Sequence, residues 1–351
     1  MTAGPILQIG YGAFGPTHAR AWRAAGIEDL VVADPDPCAR DRALSDDARL
    51  RVVEDYREAL PACRAVDILT PTPTHCAIAL EALRTGKPAF VEKPVVSTLV
   101  EAQILRRQAL SAGLPLMAGY YFRYHPKCIE LQWQIGTGAL GELRLLTGKF
   151  AGYKRARIDS GVLHNDAVHF LDLFCWLVGR LPDRAFALAR DHFGRGMDDT
   201  MLILLDWSGG PAAQIECGYV QPGRWPDTVV AGALTSKEIA VSGAKGAVEV
   251  DFAAETYVEH RVTHENRDGV WTPHFHAPAA SRNVPPADAV AVLTAEFTEF
   301  LGRLDGAAPD TGFAADGLDG AWRMALLLEA IATSAASRQA ITIREPTDDA
   351  S

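Results

Sequence analysis

Two stretches of the chain carry side chains whose types and spacing suit acid–base chemistry on a small molecule. In Phe90-Val91-Glu92-Lys93-Pro94 a short apolar run ends in a lysine fixed by the following proline. A lysine at a strand end can hold a substrate hydroxyl and stabilise charge developing on its oxygen. The bland alternative is an ordinary ion-pairing lysine, and Lys93 taken alone favours it. From Gly161 to Leu177 the apolar spacing is helical. Asn165, His169 and Asp172, at i, i+4 and i+7, share one helix face, with Asp166 on the flank of His169. An imidazole beside a carboxylate or amide suits proton transfer near neutral pH. A lone histidine on such a helix is more often structural, and the polar neighbours amid apolar residues are what point to function.

Other residues supply binding chemistry rather than proton transfer. Tyr120 to Pro126 carries aromatics and Arg123 into a region suited to a substrate pocket. Tyr153-Lys154-Arg155-Ala156-Arg157 begins with a further substrate-binding candidate, Tyr153. Its three cations form a solvated loop or, over a pocket, hold a carboxylate or phosphate. Six scattered cysteines without a C-x-x-C pair suggest neither a zinc site nor a disulfide framework. His274 and His276 sit among prolines in an expected loop, and no metal is assigned to them.

The elements that must position these groups begin with Ile6-Leu7-Gln8-Ile9. This run leads at once into Gly10-Tyr11-Gly12-Ala13-Phe14-Gly15 and a helical pattern from Pro16 to Ala25. Strand, glycine loop and helix in this order form a dinucleotide cradle. The glycines allow a tight turn and close approach to pyrophosphate, and the helix N-terminus offers N–H groups to the phosphates. Leu30 to Ala33 reads as the second strand and ends at Asp34, which accepts from an adenosine ribose hydroxyl, favouring NAD over NADP, or simply forms a turn in Asp34-Pro35-Asp36-Pro37. Strands over 51–53, 65–69 and 88–92 alternate with helices, which implies a parallel sheet. Thr70-Pro71-Thr72-Pro73-Thr74-His75 is expected to be irregular at the C-terminal edge of that sheet, where His75 touches the cofactor or caps the following helix. Thr98-x-x-Glu101 has the form of a capping box. Beyond Pro182, strands without intervening helices imply a mainly antiparallel sheet, closed by helices over 287–304 and 317–337.

Composition narrows the classes of partner. A formal net charge of −10 gives no general attraction to nucleic acid or to anionic lipid. No apolar run approaches the roughly 18 residues of a membrane span, so a cytoplasmic protein is expected. The 351 residues suit two domains.

Taken in order, these motifs resemble the Gfo/Idh/MocA family, the glucose-fructose oxidoreductase and inositol dehydrogenase group. The resemblance covers nearly the whole chain. It rests on Gly10-x-Gly12-x-x-Gly15, Pro71-x-x-x-His75, Glu92-Lys93-Pro94, the helix from Gly161 to Asp172, the turn Ser242 to Gly246 and the terminal helix around Glu329 to Ala335. It implies an α/β fold: a Rossmann domain over 1–119 with a doubly wound parallel sheet, then an α+β domain over 120–351 with a large open antiparallel sheet. The terminal helix is able to pack back on the first domain, and the open sheet is used to assemble homodimers or homotetramers. It further implies NAD held by Gly10, Gly12, Ala13, Phe14, Gly15, Asp34, Thr70, Pro71, His75, Glu92 and Lys93. A sugar, cyclitol or nucleotide-linked sugar would meet Arg123, Tyr153, Asn165, Asp166 and His169. Lys93 would reach both nicotinamide ribose and substrate, with His169 as acid/base. One departure is Asn165, which stands where the family's helix usually has aspartate, with Asp166 one step later. An amide can bond a hydroxyl but cannot take its proton. Two other readings keep the fold: an enzyme that recycles tightly held NAD within one turnover, and a non-enzymatic NAD-responsive binding protein.

Overall fold

Short apolar runs stopped by glycine, proline or aspartate become the strands of a parallel sheet. The computed structural model describes residues 4–227, 232–307 and 318–344. These divide into two compact units, the first within Met1–Tyr124 and Ala287–Ala325, the second within His125–Pro286 and Leu326–Ser351. In the first, β1 (Ile6–Ile9), α1 (Gly15–Ala24), β2 (Leu30–Ala33), α2 (Pro37–Asp46), β3 (Arg51–Val53), β4 (Ala65–Ile68), α3 (Thr72–Arg84), β5 (Ala89–Glu92), α4 (Leu99–Ala112) and β6 (Leu116–Gly119) follow in order. The strands form one parallel sheet ordered β3-β2-β1-β4-β5-β6. Every residue of β1, β2 and β4 is buried, as strands covered by helices on both faces require. The Thr98–Glu101 capping box forms as read.

One stretch expected to be irregular is helical. α3 begins at Thr72, with Pro73 in its first turn. Proline costs little there, because first-turn N–H groups have no intrahelical acceptor to lose.

The second unit contains α5 (Pro126–Gly136), β7 (Leu143–Tyr153), α6 (Val168–Val178), β8 (Arg184–Arg190), β9 (Thr200–Asp206), β10 (Ala212–Gly218), β11 (Trp225–Pro226), β12 (Leu234–Gly243), β13 (Gly246–Asp251), β14 (Thr256–His260), β15 (Val262–Arg267), β16 (Val270–Phe275) and β17 (Ala280–Ser281). After these come α7 (Ala289–Leu304), α8 (Leu318–Ser337) and β18 (Ile341–Thr342). The large sheet runs β17-β14-β13-β12-β7-β10-β9-β8-β18, with β11 on β12. β7 and β10 are parallel and the other pairings antiparallel. His274, expected in a loop, lies on β16 opposite Thr263 of β15.

Two late helices contribute to the first unit, which the reading of a clean break after residue 119 does not anticipate for α7. Leu293, Phe297 and Phe300 on its buried face join the core of Trp22 and Phe90, and Phe297 stacks on Trp22 with ring centroids 3.8 Å apart. Large aromatic surfaces of this kind dominate core energetics. The start of α8 also belongs to the first unit, where Arg106 Nε donates to Asp319 Oδ1 at 2.6 Å. Gly317, the first residue of that expected helix, lies outside the described residues. Among the described residues no helix is long and apolar enough to cross a membrane.

Candidate active site

The glycine loop joins the end of β1 to the N-terminus of α1. Gly10 has φ +104°, and a Cβ there would lie 3.1 Å from the Leu69 carbonyl, so neither the conformation nor the space suits another residue. A Cβ on Gly15 would press on the Tyr11 ring at 3.1 Å. At Gly12 a Cβ would meet nothing within 4 Å, and Gly12 and Ala13 are exposed. The loop is therefore packed tightly beneath and open above, next to the first-turn N–H groups of α1. That geometry fits a pyrophosphate.

Asp34 stands beside this loop in the adjacent strand register. Its Oδ2 accepts the Tyr11 N–H at 2.7 Å and its Oδ1 accepts the Asp36 N–H at 2.9 Å. The turn-shaping reading is present, and a carboxylate with about four acceptor sites retains capacity for ribose hydroxyls. Sequence reasoning passed over Arg40 and Arg42. Arg40 Nη1 donates to the carbonyls of Asp34 and Pro35 at 2.8 and 2.9 Å, and Arg42 Nη2 donates to the Tyr11 carbonyl. The residues present fit NAD, with the loop for its phosphates and Asp34 for its ribose.

Thr70 and Pro71 follow β4 at the same sheet edge to which β5 delivers Lys93. His75 is buried, with Nδ1 3.0 Å from the Pro94 carbonyl and Nε2 2.6 Å from the Thr70 carbonyl. Burial lowers its pKa even though both carbonyls favour the charged ring. His75 therefore does not cap α3. It ties the loop after β4 to the turn that carries Lys93.

Glu92 has two engagements. Its Oε2 accepts the Lys93 N–H at 3.1 Å, and its Oε1 lies 3.2 Å from His18 Nε2. His18 in turn reaches Asp67 Oδ2 through Nδ1 at 3.0 Å, and Trp22 Nε1 donates to the same oxygen at 2.7 Å. None of His18, Trp22 and Asp67 stood out in the sequence. The available signal is the spacing Gly15-x-x-His18, which sets a titratable side chain on the sheet-facing side of α1. Arg123 lies in a short 3-10 turn, with its guanidinium 5.4 Å from the centre of the Tyr120 ring.

In the second unit the helix expected from Gly161 begins as one π-helical turn, Leu163–Ala167, and continues as α6. Such turns alter the strict i, i+4 registry at helix starts and often occur at functional sites. Asp198 holds this start, accepting the Leu163 N–H at 2.7 Å. α6 reaches the sheet because β7 has Gly148 beneath it, where a Cβ would lie 2.8 Å from the Phe170 ring. His169 stacks on Phe150 of β7 with ring centroids 5.6 Å apart.

Asp166 is buried, and its Oδ1 accepts from Asn165 Nδ2 at 2.9 Å and from Lys154 Nζ at 2.8 Å. Lys154 itself is 5% exposed in its side chain, so of the cation cluster this member is not in a solvated loop. It is the internal counter-charge of Asp166, and its ammonium also lies 4.7 Å from the centre of the Phe150 ring. Arg157 pairs instead with Asp159. Nearby, burial and then the Asp166 charge push the Tyr219 hydroxyl well above its usual pKa, so it stays protonated. Tyr153 is exposed. The structure thus gathers the cofactor candidates, Lys93 and Arg123 in the first unit, and Tyr153, Asn165, Asp166 and His169 in the second.

Comparison with known proteins shows the family and the fold. Residues 6–120 match the family model described as the oxidoreductase family, NAD-binding Rossmann fold, of GFO/IDH/MocA proteins. Residues 130–249 match the GFO/IDH/MocA C-terminal domain. D-apiose dehydrogenase of Paraburkholderia graminis is 27% identical over 281 residues, 75% of this chain and 70% of that protein. Inositol 2-dehydrogenase of Rubrobacter xylanophilus is 26% identical over 284 residues, 77% of this chain and 78% of that protein. A solved levoglucosan dehydrogenase, in complex with NADH and levoglucosan, has a TM-score of 0.80 at 19% identity, covering 97% of this chain and 100% of that one.

Proposed function

The chain belongs to the GFO/IDH/MocA oxidoreductase family, whose N-terminal domain is an NAD-binding Rossmann fold, and from that premise we propose that it oxidises a secondary alcohol of a sugar or cyclitol. The observation that carries this reading is Lys93, delivered by β5 to the sheet edge that also bears the glycine loop and Asp34, with its backbone held by Glu92. The relatives named above are dehydrogenases of sugars and a cyclitol, which supports the substrate class. Bound NAD supplies the hydride acceptor. Gly12 and Ala13 receive its phosphates and Asp34 its ribose, and Thr70 and Pro71 line the same edge. Lys93 holds the substrate oxygen and stabilises negative charge on it as the proton leaves. By family resemblance His169 of the second unit is the proposed acid/base, and Asn165 and Arg123 are proposed substrate-binding residues. Within the second unit Asp166 fixes the Asn165 amide while Lys154 balances its charge.

We further propose a homodimer or homotetramer and a cytoplasmic location. The substrate is distinguished by a panel of inositols, aldoses and nucleotide-linked sugars, followed by reduced-nicotinamide absorbance with purified protein and NAD. One class should give signal, and Lys93→Ala should lower turnover about 10²-fold or more while NAD affinity stays nearly unchanged. Full turnover by Lys93→Ala defeats the assignment of that residue. Silence across the panel, with NAD retained through gel filtration, points to internally recycled cofactor.

A further inference from the structure

Behind Lys93 lies a group of ionisable side chains for which hydride transfer has no direct use. His18 of α1, Asp67 of β4 and Glu296 of α7 are fully buried, and Glu92 of β5 is nearly so, with 13% of its side chain exposed. His18 is enclosed by the rings of Phe14, Phe90 and Phe297, at centroid distances of 5.0, 6.2 and 5.2 Å. Those rings offer it no hydrogen-bond acceptor, so its two nitrogens are served by Asp67 on one side and Glu92 on the other. Both partners are carboxylates, and a ring that donates to both is an imidazolium. Burial opposes that charge and the two carboxylates outweigh it, raising the pKa to about 10. Glu296 faces both His18 and Glu92 from α7, and burial followed by repulsion from Glu92 raises its pKa well above the carboxylate range. The groups that favour the charged His18 ring are Asp67 and Glu92.

We propose that His18 is a positioning residue for Lys93: its ring, clamped between two carboxylates, fixes one oxygen of Glu92, so that the other oxygen fixes the Lys93 amide at the sheet edge. The proposal rests on the reading of Lys93 as a catalytic group. Three features argue for it over simple core packing. The Glu92 carboxylate uses its two oxygens separately, one for each neighbour. Space for it is made by Gly119 at the end of β6, where a Cβ would lie 2.9 Å from Glu92 Oε1. Finally, Glu92 is the covalent neighbour of Lys93, so a rotation of its side chain toward solvent releases the very amide that sets where the lysine starts. A buried charged group held by paired, directional bonds is well suited to fix such a constellation, because alternative rotamers would strand a charge.

The test uses the full-length protein and reads backbone amide exchange at residue resolution as well as turnover. In His18→Gln the Lys93 amide should exchange about tenfold faster or more, while amides of β1 and β6 keep their protection. Turnover on the substrate found in the panel should fall about tenfold with the KM for NAD within about twofold, a split that general destabilisation does not produce. Glu92→Asp is the second variant, should His18→Gln not fold: it keeps the charge but is one methylene too short to serve both neighbours, and the same two changes are expected. Folded variants that leave the Lys93 amide protected overturn the proposal, as does faster exchange spread equally over β1, β4 and β6. Lys93→Ala separates the two ideas. If it keeps full turnover, the catalytic reading of Lys93 fails while the exchange result still decides the clamp. If it is inactive and His18→Gln turns over normally, the clamp fails and the catalytic reading stands.

Discussion

At the scale of single residues, the charge on His18 has a consequence for stability that can be measured without a substrate. Its pKa in the folded chain, about 10, lies above the ordinary histidine value of 6.5. The folded state therefore binds more protons than the unfolded state between those values, and stability from this group falls as pH rises. The contribution is complete below about pH 6.5 and is lost as pH climbs through about 10. Glu296, also raised, changes stability in the same direction at its own, lower starting point. Denaturant unfolding of wild type and His18→Gln at a series of pH values should show a stability difference greatest near pH 6 and shrinking toward pH 10. A difference flat across that range would mean His18 is neutral in the fold. Legibility in the sequence differs sharply among these residues. Lys93, Asp34 and the glycines are readable because each lies at the end of an apolar run, where local pattern fixes its place. His18 meets Asp67 and Glu92 across 49 and 74 residues, and no local pattern encodes which distant side chain a buried imidazole will find. Lys154 is a similar case: beside Arg155 and Arg157 it reads as a solvated cation, and only the fold supplies Asp166.

At the scale of elements, the helix that carries Asn165 and His169 depends on the sheet below it being smooth at one point. Phe170 and Phe174 of α6 lie against Gly148 of β7, and a methyl group there would stand 2.8 Å from one ring and 3.1 Å from the other. Both rings are fully buried and cannot swing away. Gly148→Ala should destabilise the protein by about 1–3 kcal/mol, the usual cost of overpacking a filled core. It should also lower turnover, because α6 lifts and His169 moves with it. Urea unfolding and initial rates on the same sample check both, and a variant with wild-type stability would show that α6 is less closely seated than its packing indicates. The start of this helix was only partly legible: apolar spacing marked a helix but not its opening π turn, which Asp198 holds from the β8–β9 connection. The strands β1 and β2 were read at their observed bounds, since buried parallel strands are short continuous apolar runs. β14 to β17 escaped notice for the opposite reason. They are short and carry no sustained buried apolar face, β14 being partly buried and β15 to β17 largely exposed, so their order comes from pairing with neighbours rather than from their own composition.

At the scale of the whole molecule, the large sheet presents a face that a solitary chain has no reason to keep apolar. Leu188 pairs with Leu202, and Leu145 and Leu204 lie on the same side by register. These four are 36 to 50% exposed, whereas Met201, Ile203 and Leu205 on the opposite side of β9 are buried. Several charges on the leucine side are paired within it, Lys149 with Glu216 at 3.5 Å and Arg184 with Asp206 at 2.8 Å. A chain of net charge −10 repels its own copies, so a face that carries little net charge and much apolar surface is where two copies can approach at least cost. If the proposed homo-oligomer forms there, Leu204→Glu should weaken association about tenfold or more without loss of fold, since the side chain is half exposed. Raising salt should tighten association of the wild type by screening the like charges, and should rescue the variant only in part, because the buried glutamate keeps its desolvation cost. Sedimentation equilibrium over a range of protein and salt concentrations measures both effects. A monomeric wild type at micromolar concentration, or an unchanged oligomer in Leu204→Glu, would remove this face from the assembly and leave its leucines to be explained by another partner.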